Sequence, residues 1–532
     1  MAVTPNSPSG LVRRFRARTA AASRSAVVSA LVVAYLFGSG VIWALITPMG
    51  GVADEPSHIV YAAGVVRGDL GDLEPVQRRD YDVLPVVAVP IWTGSVTDPP
   101  TSRDAFPPIC YAFDAEVTAA CVPELTQSTE LAIIPTGVTR YPPPYYAIAG
   151  LPTLAMAGEP AVYAMRITSA ALAAGMIALG LAVAAPRRRT WLALGAAITF
   201  TPMVGHFAGS VNPSALEISA ALGLGIGLMG IDGTKTRSPV RTAAFVGVLC
   251  FAVAWSRPRS YLTLIAVLGA AALINSDELR AWLRHRVIRT TAGLAACAAV
   301  VSAFIYETQF TGLGYRVLAA STTPLGLDRA TAEDFAEFER RFINLGFDMI
   351  GRFGWLDHSP PRTVSVAWIL LALSLIVLAL AYGRRRDRQT LVLVGAGGLI
   401  VAPLFVIMSL LSASVYQARY HLPLAVLVVV GAIVILARLQ PGQRRGTAWK
   451  TLRWGAILAP VAMIVSIASS LHRYSIGGKA QLADLPQLLI GTRHWLPPAA
   501  PLLIAGVGAV IILLAPAALR RLTAVGPEPE DS

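Results

Sequence analysis

Residues 27–46 read VVSALVVAYLFGSGVIWALI, and residues 47–58 continue as TPMGGVADEPSH. About twenty successive uncharged residues wound as an α-helix are ~30 Å long, the thickness of a bilayer core. Five arginines precede the run: Arg13, Arg14, Arg16, Arg18 and Arg24. A secretory signal also begins with basic residues, but its apolar stretch is about 7–15 residues and ends at a small-x-small cleavage site. This run is longer and ends in Thr47-Pro48-Met49-Gly50. It predicts a retained signal-anchor helix with the N-terminus in the cytoplasm.

The same pattern recurs along the chain. Further apolar runs lie at approximately 161–185, 191–209, 214–231, 240–255, 259–275, 290–307, 364–382, 390–411, 421–438, 454–471 and 499–518. The expected fold is therefore an all-α polytopic membrane protein of about twelve transmembrane helices. Apolar residues make up 55% of the chain and charged residues 14%, with a mean hydropathy of +0.60. Soluble domains carry about 25% charged residues. The net charge of +13 would suit nucleic acid if it were clustered on one soluble face. Instead the segments expected inside, the two ends and the short connectors together, hold 26 of the 44 basic residues but only 7 of the 31 acidic ones. That asymmetry is the positive-inside pattern, so no nucleic-acid partner is implied and both termini are placed in the cytoplasm.

The organisation that follows is a basic N-terminus at 1–25 and a transmembrane domain at 26–471. An outer loop and last helix occupy 472–518, and a cytoplasmic tail 519–532. Two outer segments, 47–160 and 308–363, are too long to be simple connectors and predict folded outer structure. Within the first, Tyr145–Gly158 is apolar but too short to cross, so it predicts a helix lying in the interface. Cys110 and Cys121 share this loop, where a disulfide is chemically permitted and would contribute about 2–3 kcal/mol. Cys250 and Cys297 fall inside predicted helices.

The chemistry concentrates just after the first span, at Asp54-Glu55-Pro56-Ser57-His58. One reading is a helix start, with Asp54 as N-cap, Glu55 in the first turn and Gly68 past the end. The other makes a carboxylate a general base at the outer interface, with His58 four residues on near the same face. The two roles are compatible. Downstream, Arg140-Tyr141-Pro142-Pro143-Pro144-Tyr145-Tyr146 is either a stiff connector with interfacial tyrosines or an aromatic wall for substrate. Arg166, Arg257, Arg259, Arg352 and Arg419 are candidate anion ligands, against the alternative that each snorkels to water. Arg257 and Arg259 flank Pro258 at the outer end of a hairpin and are preferred. Glu217, one turn inside a span, is an intramembrane carboxylate and so a functional candidate, or a partner for one of these arginines.

Five short stretches together resemble one family. They are Asp54-Glu55-Pro56-Ser57-His58, Tyr141-Pro142-Pro143-Pro144-Tyr145-Tyr146, Asn212-Pro213-Ser214-Ala215-Leu216, Phe353-Gly354-Trp355-Leu356-Asp357 and Gln417-Ala418-Arg419-Tyr420. In this order they resemble the bacterial membrane proteins grouped as domain of unknown function 2142, which are similar to GT-C glycosyltransferases. Two departures are Ser214, where the family has an acidic residue, and Ala418, where it has glycine. The resemblance implies a GT-C-like fold and a multi-pass protein of the bacterial cytoplasmic membrane. It implies sugar transfer from a polyprenyl-phosphate donor to an envelope glycan or lipid acceptor. Asp54 would be the catalytic base with Glu55 as alternate, and Arg257, Arg259, Arg166 and Arg419 would hold the donor phosphate. His58, Tyr141, Tyr145, Asn212, Trp355, Asp357 and Gln417 would line the substrate. The resemblance assigns no cofactor, and a divalent metal is left open.

No phosphate-cradling glycine loop, hydrolase nucleophile motif or Cys/His metal spacing is present. A transporter or flippase for lipid-linked precursors, or a scaffold for their assembly, is the competing class. Transporters place ionisable residues at the midplane between repeated halves, whereas here they gather at the outer surface and no repeat is visible.

Overall fold

The computed structural model describes residues 8–71, 76–78, 81–84, 86–92, 109–233, 238–306, 332–411, 417–478 and 495–496. Ten of the first eleven apolar runs fall on one helix each, whereas 191–209, expected as a single span, is broken before Pro202 into two helices bent by 82°. α1 (Pro8–Ile46) leads into the short α2 (Glu55–Val65). After a loop region come α3 (Pro143–Ala149), α4 (Gly158–Val183), α5 (Pro186–Thr199), α6 (Pro202–Ala208) and α7 (Pro213–Gly230). The chain continues through α8 (Pro239–Ala254), α9 (Ser260–Ile274), α10 (Ser276–Leu283) and α11 (Arg286–Tyr306). The remaining helices are α12 (Ala332–Ile350), α13 (Arg362–Tyr382), α14 (Arg385–Leu411), α15 (Leu422–Ala437) and α16 (Gln443–Ile476). By length and apolarity six described helices can cross a membrane, or eight if the bent pairs α5–α6 and α9–α10 each count as one span. The run at 499–518 and the tail at 519–532 lie outside the described residues.

α7 is the centre of the bundle. All of its residues from Pro213 to Gly230 are buried, and it packs against α4, α8, α9 and α15. Its start is fixed locally: Pro213 has no N–H to leave unpaired, and Asn212 Oδ1 accepts the Ser214 N–H at 3.0 Å. The approach of α4 to α7 depends on small residues. A Cβ at Gly180 would lie 2.0 Å from the Gly223 carbonyl oxygen, and one at Gly223 would lie 2.3 Å from that of Met176. Backbone contact of this kind is how helices associate where lipid removes the hydrophobic drive.

The first long loop is not purely helical. Val86-Val87-Ala88-Val89-Pro90 pairs antiparallel with Leu131-Ala132-Ile133-Ile134-Pro135, with Ala88 opposite Ile133. β-branched residues suit such a half-buried ribbon. A second pair joins Val76–Arg78 to Tyr81–Leu84. The interfacial helix expected at Tyr145–Gly158 begins earlier, at Pro143, and breaks after Ala149 into a 3-10 turn at Leu151–Leu154. Pro152 explains the break, because its missing N–H and its ring disfavour a continuing α-helix.

Candidate functional site

Five consecutive carbonyls after α1 are each held by a distant side chain. Arg166 donates to Thr47 O at 2.6 Å and Pro48 O at 2.9 Å. The Tyr111 hydroxyl donates to Met49 O at 2.7 Å, Trp355 Nε1 to Gly50 O at 2.9 Å, and the Tyr474 hydroxyl to Gly51 O at 3.1 Å. The Ala53 N–H then donates to Gly354 O at 3.1 Å. Segments far apart in the chain thus clamp one turn, and the turn ends at Asp54.

Asp54 stands in the left-handed region, φ 68°, which a non-glycine residue adopts at a cost of order 1–3 kcal/mol. It occupies the N-cap position of α2, but its side chain makes no capping bond. Instead Oδ2 accepts from Arg419 Nη2 at 2.8 Å, and about half of the Asp54 side chain (48%) remains exposed. Burial pushes the carboxyl upward, but the Arg419 guanidinium, His58 and Arg257 together outweigh it and hold Asp54 below the ordinary aspartate range. The adjacent Glu55 is fully buried in an ion pair with Arg166, Nε to Oε1 2.8 Å and Nη2 to Oε2 2.6 Å. Oε1 also accepts the Val211 N–H at 3.0 Å.

Arg419 is only 3% exposed, and its Nε and Nη1 have no hydrogen-bond partner among the described residues. It lies over the Phe207 ring at 4.6 Å and the Tyr420 ring at 5.4 Å. Arg257 lies over the same Tyr420 ring at 4.5 Å and pairs with Glu217 at 3.3 Å. Glu217 also accepts from the Thr263 hydroxyl at 2.8 Å. Arg257 further contacts the Tyr141 side chain, and its charge reaches both Asp54 and His58. Burial raises the Tyr420 hydroxyl, yet the two guanidinium groups prevail and hold it below its ordinary value. His58 is buried with Nδ1 2.8 Å from the Tyr146 hydroxyl, and desolvation pushes its pKa to about 3. It is therefore neutral at physiological pH.

The structure thus gathers Asp54, His58, Tyr141, Arg257 and Arg419, residues up to 365 positions apart in sequence. Other expected site residues are placed elsewhere or already occupied. Arg166, expected to receive phosphate, is fully buried, and Glu55 with the carbonyls of Ala44, Thr47 and Pro48 takes up its donors. Glu55, the alternate base, has both oxygens engaged. Arg259 is exposed in a left-handed conformation at the start of α9. Tyr145 is buried with its hydroxyl 2.9 Å from Ser169 Oγ. Asp357 is tied to Arg473 at 2.6 Å and to His358 at 2.9 Å, and Trp355 clamps Gly50. Asn212 caps α7. Its Nδ2 and the Gln417 Oε1 are buried without a partner among the described residues.

Sequence reasoning missed Arg473 altogether. This one guanidinium binds Asp357 and also the carbonyls of Tyr111, Asp114 and Val117. Those three residues lie inside the loop closed by the Cys110–Cys121 disulfide, whose Cα atoms are 6.3 Å apart. Its position one turn from the end of a long helix gave no signal beyond that of any interfacial arginine. Among the described residues no three His, Cys, Asp or Glu side chains come together as a metal site.

Apolar helices of spanning length, with a half-exposed carboxylate set among buried arginines in the connections, define a multi-pass helical membrane protein. The chain belongs to the family described as predicted membrane protein (DUF2142), whose model matches residues 37–428. The match begins within α1 and ends within α15, and so includes Asp54, Arg257 and Arg419. No curated protein matches the chain.

Proposed function

We propose that the protein is a GT-C-like inverting glycosyltransferase of twelve spans in the bacterial cytoplasmic membrane. It would take a sugar from a polyprenyl-phosphate donor to an envelope glycan or lipid acceptor on the outer face. One observation carries this reading: a half-exposed carboxylate touches a buried arginine whose Nε and Nη1 have no hydrogen-bond partner among the described residues. A buried unsatisfied donor costs about 1–3 kcal/mol, and more if charged, so an anion placed there is strongly favoured.

In the reaction Asp54 takes the proton of the acceptor hydroxyl. The oxygen bonds to the anomeric carbon, and the bond from that carbon to the phosphate oxygen breaks. The lipid phosphate leaves with the electron pair, and Arg419 and Arg257 stabilise it. No acid is needed, because the leaving group is a stable anion. The chain binds and orients; Glu55, Arg166 and the clamped turn hold the base in place.

Replacing Arg419 with Ala should weaken binding of a polyprenyl-phosphate sugar by about 10–100-fold in detergent-purified protein. Arg257→Ala should have a smaller effect, because Glu217 already neutralises part of its charge. Unchanged donor affinity in both variants would remove this site as the phosphate receptor. The outer placement of the Asp54 face is supported by its disulfide, since such bonds persist in oxidising compartments. In intact cells a membrane-impermeant reductant should expose Cys110 and Cys121 to an impermeant maleimide. Labelling that requires permeabilisation would invert the topology.

A further inference from the structure

A cavity lies at the other end of α9 and α15 from Arg257 and Arg419. It has a volume of about 880 Å³ and opens between the α9–α10 elbow, the start of α14 and the α15–α16 connection. The elbow bends by 103° at Asn275, and Ser276, Asp277 and Glu278 of α10 line the cavity. Five arginines line the cavity against three carboxylates.

Those carboxylates are committed. Asp277 accepts from Arg280 at 2.6 Å and Arg386 at 3.1 Å. Glu278 is shared by Arg187 and Arg188 and also takes the Gly233 N–H. Asp387 lies 3.6 Å from Arg438. On the floor, the Arg188 and Arg438 guanidinium groups both donate to Oδ1 of the buried Asn275, a neutral acceptor. Two cations converge there on one uncharged oxygen. At the rim, Arg384 and Arg444 make no ion pair among the described residues, and Arg444 lies over the Tyr382 ring at 5.6 Å. Leu273, Ile435 and Leu439 supply apolar wall beside these cations.

We propose that this cavity binds a phosphate-bearing anion through Arg384 and Arg444 at its rim, with the charge of Arg438 behind them. The phosphate comes either from the headgroup of an anionic phospholipid or from a diffusible phosphate. Basic pockets between membrane helices hold such headgroups by charge, and the mixed basic and apolar lining suits a ligand at the membrane surface. The site is separate from the Asp54 cluster, and it stands whether or not that cluster transfers sugar.

The test is a titration of the full chain in zwitterionic detergent, read by native mass spectrometry. The probes are phosphatidylglycerol, phosphatidylcholine and inorganic phosphate. Phosphatidylglycerol should be retained about tenfold or more over phosphatidylcholine. The double variant Arg384→Ala, Arg444→Ala changes exposed residues only, so it should keep the wild-type melting temperature while losing that preference. If millimolar inorganic phosphate fails to displace the lipid, the headgroup is the ligand. If phosphate binds and displaces it, the same arginines serve a diffusible phosphate. Equal retention of the two lipids without phosphate binding, or a double variant that binds both anions as well as wild type, overturns the proposal.

Discussion

Asp54→Asn should lower sugar transfer from a polyprenyl-phosphate donor by about 10²–10⁴-fold while the protein remains folded. The amide keeps the shape and can still accept a bond from Arg419, but it cannot take a proton. Stability should fall less than on loss of a fully buried carboxylate, because the Asp54 side chain is about half exposed and forms no cap on α2. The pH dependence separates this role from alternatives. In the free protein the Asp54 carboxyl lies below its ordinary value, so the base is ionised above that value. Activity is lost only as pH falls through it, and kcat/KM should be flat between about pH 5 and 8. A donor phosphate on Arg419 adds negative charge beside Asp54 and raises its pKa in the complex. The acid limb of kcat should therefore lie at higher pH than that of kcat/KM. A limb near the ordinary histidine value that vanishes in His58→Ala would transfer the role to His58. Full transfer by the Asn variant would remove Asp54 as base.

Glu55→Gln should behave differently, destabilising the protein by about 3–5 kcal/mol. Both members of the Glu55–Arg166 pair are inaccessible to solvent, so losing one leaves an uncompensated buried charge. The pair also joins four places: the last carbonyls of α1, the first turn of α2, the body of α4 and the Val211 N–H before α7. The fraction of Glu55→Gln that stays folded should keep most of its turnover. Pairing Glu55→Leu with Arg166→Met should cost less than the sum of the single changes, with a coupling of about 1–3 kcal/mol in thermal or denaturant unfolding. Strictly additive losses would mean that the pair does not act as a unit. A Glu55→Gln protein with wild-type stability and no turnover would make Glu55, not Asp54, the base.

Asp54 and Glu55 are neighbours with the same carboxyl chemistry, and nothing in their spacing ranks one over the other. The ranking comes from φ 68° at Asp54, which turns its side chain away from the α2 N-terminus and toward Arg419. A similar lesson holds for the arginines. Arg166, Arg257, Arg259 and Arg419 all read as interfacial cations near helix ends. Packing buries Arg166 against α1 and exposes Arg259. It sets Arg257 against Glu217 and leaves Arg419 with unpaired donors.

The amino-acid sequence by itself determined the membrane class and most of the apolar runs on which the described helices fall. Hydropathy is summed over neighbours in the chain, so a run such as Val27–Ile46 declares its environment without reference to anything distant. The tertiary structure alone decided which carboxylate stays half exposed, which guanidinium has spare donors, and that Arg473 links Asp357 to the disulfide loop. It also decided that the half-exposed carboxylate after α1 faces Arg419. Those outcomes depend on burial and on partners that meet only when α1, α4, α7 and α15 pack together, and local sequence does not encode that meeting.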